Sequence, residues 1–157
     1  MTRLLASFDS GSRTRPLTQR QYFMLATMAA AREPLTPVQV QKLFFLIDRN
    51  ISRAIGGPQF AFRPYNYGPF DRAVYDELEV LSTTGHVELN HNVNWRTYRL
   101  SAHGQREGEA YYAKLEQPVQ AYIANAAKFV LSLSFTELVA AIYRAYPDMK
   151  ANSVFQE

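Results

Sequence analysis

Few residues in this chain have side chains suited to chemistry, and their spacing limits what they can do. The 157 residues include no cysteine, which excludes a disulfide framework, thiolate metal ligation and a cysteine nucleophile together. The three histidines are His86, His91 and His103. Metal sites on helices place two ligands at i and i+4 or add a thiolate pair; these histidines do neither, so each reads as a surface histidine and no metal site is expected. Carboxylates gather at Asp71, Asp76, Glu77 and Glu79, and on a helix positions 72, 76 and 79 share one face. Nothing apolar adjoins that face to raise a carboxyl pKa, so an exposed acidic patch is expected rather than an acid–base pair. Gly56-Gly57-Pro58 is followed by no Gly-Lys-Ser/Thr run, and no nucleophile elbow occurs. No catalytic residue and no cofactor is expected, and the chain reads as a non-enzyme.

Composition places these residues in one folded unit. Hydrophobic residues make up 47% and charged residues 20%, which suits a packed domain rather than a disordered segment. No apolar run approaches the roughly 18 residues of a membrane span, and a cytoplasmic location is expected. Residues 1–17 show no sustained period and read as a mobile tail carrying Arg3, Arg13 and Arg15; residues 18–157 read as a single domain.

The elements are announced by their caps. Thr18 with Gln21 makes a capping box before a helix over about 19–32. Thr36, Pro37 and Gln39 supply cap, first-turn proline and box partner for a helix over about 37–54. In that helix Val40, Leu43, Phe44, Ile47, Ile51 and Ala54 form the expected buried stripe, opposite a solvated stripe of Lys42, Arg49 and Arg53. Prolines and glycines over 56–68 forbid a helix, and Phe60-Ala61-Phe62 reads as a short strand. Gly68-Pro69 starts a third helix over about 69–84, stopped by Gly85. His86–Leu89 and Trp95–Leu100 flank an asparagine-rich turn as a β-hairpin. Ser101 then caps a helix to about 115, Pro118 opens another, and Ser134 with Glu137 caps a last one to Tyr146. The order gives a mainly helical α+β fold: a winged-helix-like core of three helices plus a hairpin wing, with additional C-terminal helices.

Three segments carry a resemblance: Val40-Gln41-Lys42-Leu43-Phe44-Phe45-Leu46, then Tyr65-Asn66-Tyr67-Gly68-Pro69-Phe70 leading to Val74-Tyr75, then the wing. In this order they resemble the Panacea-type domain family of phage-associated and antitoxin-like proteins, with its SocA-like protease-adaptor branch. The resemblance covers roughly residues 36–155. It implies a prokaryotic or phage-associated protein that binds a toxin or a client protein and has no catalytic residues.

The net charge of +3 raises the question of nucleic acid. In a DNA-reading winged helix the third helix enters the major groove. Here 69–84 holds Asp71, Asp76, Glu77 and Glu79 against Arg72 alone, a net of −3 that phosphates would repel. A DNA-binding regulator would have to use the tail, the stripe of Lys42, Arg49 and Arg53, and Arg96 and Arg99 of the wing. Such binding is the alternative, disfavoured for the third helix; a structural subunit of a larger prokaryotic or phage-defence assembly is a further one. The aromatic residues point toward protein. Phe44, Phe45, Phe60, Phe62, Phe70, Phe129 and Phe135 are expected in the core. Tyr65, Tyr67 and outward-pointing Tyr75, beside Arg72, Asp76 and Glu79, form the expected partner-binding surface. The apolar stripes of the last two helices allow a homodimer as well.

Overall fold

The computed structural model describes residues 16–91 and 96–156. The expected tail lies almost wholly outside these residues, as do Trp95 and residues 92–94 of the asparagine-rich turn, whose Asn90 and His91 instead lie in a strand. The fold is mainly helical α+β, as the order of caps implies. Its helices are α1 (Gln19–Ala31), α2 (Pro37–Ile51), α3 (Arg72–Thr83), α4 (Ala102–Ala113), α5 (Gln117–Leu131) and α6 (Phe135–Ala145). Two antiparallel pairs complete it: β1 (Arg63–Tyr65) with β2 (Gly68–Phe70), and β3 (Val87–His91) with β4 (Arg96–Leu100). Between α1 and α2, Leu35 joins β4 through a reciprocal bridge, its N–H donating to Tyr98 O at 2.9 Å and its carbonyl accepting from Tyr98 N at 2.8 Å.

The capping boxes read from sequence form as expected. Thr18 with Gln21, Thr36 with Gln39 and Ser134 with Glu137 each exchange two hydrogen bonds, satisfying donors that a helix start leaves orphaned. The third helix begins later than expected, at Arg72. Gly68 sits at φ +103 and pairs with Tyr65 in a strand, and Asp71 caps the helix by accepting from Ala73 N at 2.9 Å. The expected strand at Phe60-Ala61-Phe62 does not form, for a related reason. The N–H groups of Gln59 and Phe60 donate to the Asp48 carboxylate at 2.7–3.0 Å, and that of Ala61 donates to Asp71 Oδ2 at 2.7 Å. Carboxylates have taken the donors that a strand partner would need. The strand moves to Arg63–Tyr65.

The centre of α2 is buried on every side. From Val40 to Asp48 each residue is buried, including Gln41, Lys42 and Asp48. Helix α5 covers one side of α2, and the irregular segment 59–71 lies against the other. Gln41 makes a reciprocal amide clasp with Asp71, donating to its carbonyl and accepting from its N–H, both at 3.0 Å. Lys42 Nζ donates to Pro69 O at 3.3 Å. Lys42 is therefore not on a solvated basic stripe: the residue is 3% exposed, its amine beneath the β1–β2 turn, and burial lowers its pKa to about 7. Burial also pushes the Asp48 carboxyl up, opposed by the two backbone N–H groups it holds.

Two glycines set how closely α4 packs. A Cβ at Gly108 would stand 2.4 Å from the Leu25 carbonyl oxygen of α1, and one at Gly104 would stand 2.0 Å from the His86 carbonyl oxygen. Only a bare Cα lets these backbones approach. Phe129 and Phe135, expected in the core, are 42% and 46% exposed; they stand at the outer edge of α5 and the first turn of α6, while Val119, Ile123, Val130, Leu138 and Ile142 fill the interior.

Two outcomes follow from this packing. The unfolded chain holds the Lys42 proton up to its ordinary value of 10.5, whereas the folded chain releases it at about 7. Between those limits the unfolded state binds more protons, so native stability gains up to about 1.4 kcal/mol per pH unit as pH rises. Urea unfolding at about pH 7.5 and about pH 9.5 should show this gain. Lys42→Met should lack this gain with pH, whatever it loses by leaving Pro69 O without its donor; equal pH slopes would contradict the neutral buried amine. Separately, Gly108→Ala should cost about 1–3 kcal/mol by overpacking against Leu25, although alanine favours an isolated helix by about 1 kcal/mol. A chain stabilised by that substitution would refute the close approach.

Candidate functional site

Helix α3 and the β3–β4 hairpin enclose a groove of about 260 Å³, lined by Phe70, Arg72, Tyr75, Asp76, Glu79, Leu89, Arg96 and Tyr98. Arg72, Asp76 and Glu79 come from successive turns of α3 and form its rim. Asp71 caps the helix at its first turn, and Leu78 and Leu81 face inward, which turns this rim toward solvent. Arg96 and Tyr98, two residues apart on β4, reach the groove from the opposite wall, while Arg99 falls on the other face and pairs with Glu88 at 2.9 Å.

The groove floor is aromatic and held by polar contacts at its margins. Tyr75 and Tyr98 stack at 6.2 Å between ring centroids, Phe70 meets Tyr75 edge-on at 5.6 Å, and Tyr65 stacks on Phe70 at 5.0 Å. These four rings form a continuous ladder from the β1–β2 turn to the hairpin. Tyr75 points less outward than its sequence position suggests. It is half-buried, and its hydroxyl donates to Pro37 O at 3.3 Å. Burial, reinforced by Tyr98, pushes its pKa up to about 12, so the phenol remains a neutral donor. Arg96 Nη1 donates to Tyr98 OH at 3.4 Å, and Arg72 pairs with Asp76 at 3.6 Å across one turn. The rim therefore carries two cations and two anions.

Four of the six expected partner-binding residues, Arg72, Tyr75, Asp76 and Glu79, line this one groove. Tyr65 extends it through Phe70, whereas Tyr67 turns away and packs edge-on against Phe135 at 5.3 Å. Both tyrosines are exposed. The alternative set of Lys42, Arg49, Arg53, Arg96 and Arg99 is not brought together. Lys42 is interior; Arg49 is paired with Asp148 and lies over the rings of Phe45 and Tyr146; Arg53 is exposed beyond the end of α2. Phe70, Leu89 and Tyr98 were not anticipated at the site. The alternation of β4 could have found Tyr98, since it shares a strand face with Arg96.

The histidines do not behave alike. His91 and His103 are exposed, but His86 is 7% exposed, correcting its reading as a surface residue. It enters β3 directly from α3, and burial, with His103 beside it, lowers its pKa. Among the described residues no three His, Asp or Glu side chains converge as a ready-made metal cage. Among the same residues, no helix is long and apolar enough to cross a membrane. Compared with protein-family models, with curated proteins and with solved structures, the chain matches none.

Proposed function

We propose that this chain is a non-catalytic, cytoplasmic protein-interaction module of the antitoxin or proteolytic-adaptor kind. Its binding surface is the groove between α3 and the β3–β4 hairpin together with the β1–β2 turn. The observation that carries the reading is the four-ring ladder Tyr65–Phe70–Tyr75–Tyr98 bordered by Arg72, Asp76, Glu79 and Arg96. Rigid tyrosines supply contact area at small entropic cost, and arginines beside them supply directed hydrogen bonds; both are enriched where protein interfaces concentrate their energy. The element order helix, bridging strand, helix, helix, hairpin supports a winged-helix reading of the core. The exposed Phe129 of α5 leaves room for a homodimer through the C-terminal helices.

The rim gives the test. Asp76 and Glu79 are exposed, so Asp76→Arg with Glu79→Arg should leave the thermal midpoint nearly unchanged. In affinity capture from the native host, the partner co-recovered with the wild-type chain should fall at least about tenfold with this double variant, and Glu88→Arg on the far side of the hairpin should not reduce it. Unchanged recovery by the groove variant would sink the assignment of the surface. Retention on duplex DNA at low salt, lost with Arg96→Ala and Arg99→Ala, would favour the regulator instead.

A further inference from the structure

Helix α5 packs on α1 and α2, whereas α6 packs on β2 and on the turn 147–150, so the two helices leave a second groove between them. Its volume is about 300 Å³. Leu46 and Ile142 form its floor, with Ala126 and Phe129 of α5 on one wall and Ala141 and Ala145 of α6 on the other. Leu46 and Ile142 are buried, but Phe129 stays open to water at 42% exposure. A large apolar side chain left at the rim of an apolar groove marks a surface that another molecule covers.

The outer side of α6 identifies that molecule. Glu137 and Arg144 are exposed and stand seven residues apart. On an α-helix that spacing is within about 20° of two full turns and about 10.5 Å along the axis. Ala140 and Ala141 lie midway between them. Glu137 Oε1 closes the capping box by accepting from Ser134 N at 2.9 Å, while Oε2 has no partner among the described residues. The Arg144 guanidinium has none among them either.

A helix face with an anion toward its start, a cation toward its end and alanines between is complementary to itself reversed. A two-fold axis crossing α6 at Ala140 and Ala141 sets Glu137 of each copy against Arg144 of the other. The small residues at the crossing let the two helices approach closely, and their antiparallel macrodipoles attract. A parallel crossing would instead oppose like charges. The axis also runs across the groove toward α5, so the grooves of two copies face each other and each covers the other's Phe129. We propose that the α5–α6 face is a two-fold interface between copies of this chain, held by reciprocal Glu137–Arg144 pairs and by burial of Phe129. This deepens the homodimer reading given above by assigning its surface and register. The face shares no lining residue with the groove assigned to a protein partner, so either assignment can fail alone.

Sedimentation velocity of the purified full chain over about 1–200 μM reads the association directly, and a dimer is expected. Arg144→Glu sets two anions against each other and Glu137→Lys two cations, so each variant alone should dimerise at least about tenfold more weakly. Mixed in equal amounts, the two should recover a heterodimer to within about threefold of wild-type affinity, because every pair is then of opposite sign. That recovery separates the charge from the fold, since Glu137→Lys also gives up half of a capping box. Phe129→Ser should weaken the dimer by a similar factor, whereas Asp76→Arg with Glu79→Arg in the other groove should leave it unchanged. A wild-type chain that stays monomeric throughout the range, Arg144→Glu dimerising like wild type, a mixture that stays monomeric, or a dimer lost through the Asp76 and Glu79 variant would each overturn the interface.

Discussion

The segment from Gly56 to Asp71 can be neither helix nor continuous strand, and its backbone polar groups must still be satisfied where α2 buries them. Gln41, Lys42 and Asp48 of α2 meet that requirement, holding Asp71, Pro69, and Gln59 with Phe60 respectively. An unsatisfied buried backbone group costs about 1–3 kcal/mol, so losing the partners of all five backbone groups would exceed what a domain of this size can spare. The clasp also sets direction. By fixing Asp71 it fixes the cap of α3, and with it the angle at which Arg72, Asp76 and Glu79 are presented. The groove between α3 and the hairpin is in this sense a product of polar side chains in the core.

This dependence explains which parts of the structure were legible in the sequence. Helix starts were readable because a capping box is local: Thr18 with Gln21, Thr36 with Gln39 and Ser134 with Glu137 each carry donor and acceptor within one turn. The mainly helical α+β architecture followed from them. Lys42 was misread because an amphipathic pattern assumes that one face of a helix meets water. Here the second face meets the 59–71 segment, which lies 17 or more residues downstream, and no periodicity within α2 reports it. The missing strand at Phe60 has the same origin, since Asp48 and Asp71 intercept its donors from a distance. At the groove, sequence supplied the α3 rim, which obeys a single helical period. It missed Phe70, Leu89 and Tyr98, which arrive from two other elements.

The charge of α3 also changes meaning once its partners are known. Of its four neighbouring carboxylates, Asp71 is consumed as the cap, and Glu77 is turned toward α1, accepting from Arg20 at 2.7 Å and from Gln21 at 3.0 Å. Only Asp76 and Glu79 remain on the groove, opposite Arg72 and Arg96. The helix therefore presents a balanced rim rather than the uniformly acidic face its composition suggests. The cations that might have offset it for nucleic acid are committed as well: Lys42 lies inside, Arg49 pairs with Asp148, and Arg99 pairs with Glu88. Phosphate binding draws on several unpaired cations acting together, because its affinity comes from released counterions. A balanced rim around stacked tyrosines gains little from counterion release and much from complementary partners, since each rim charge rejects a like charge placed against it. The geometry that counts against α3 in a DNA groove is thus the same geometry that supports the proposed protein-binding reading.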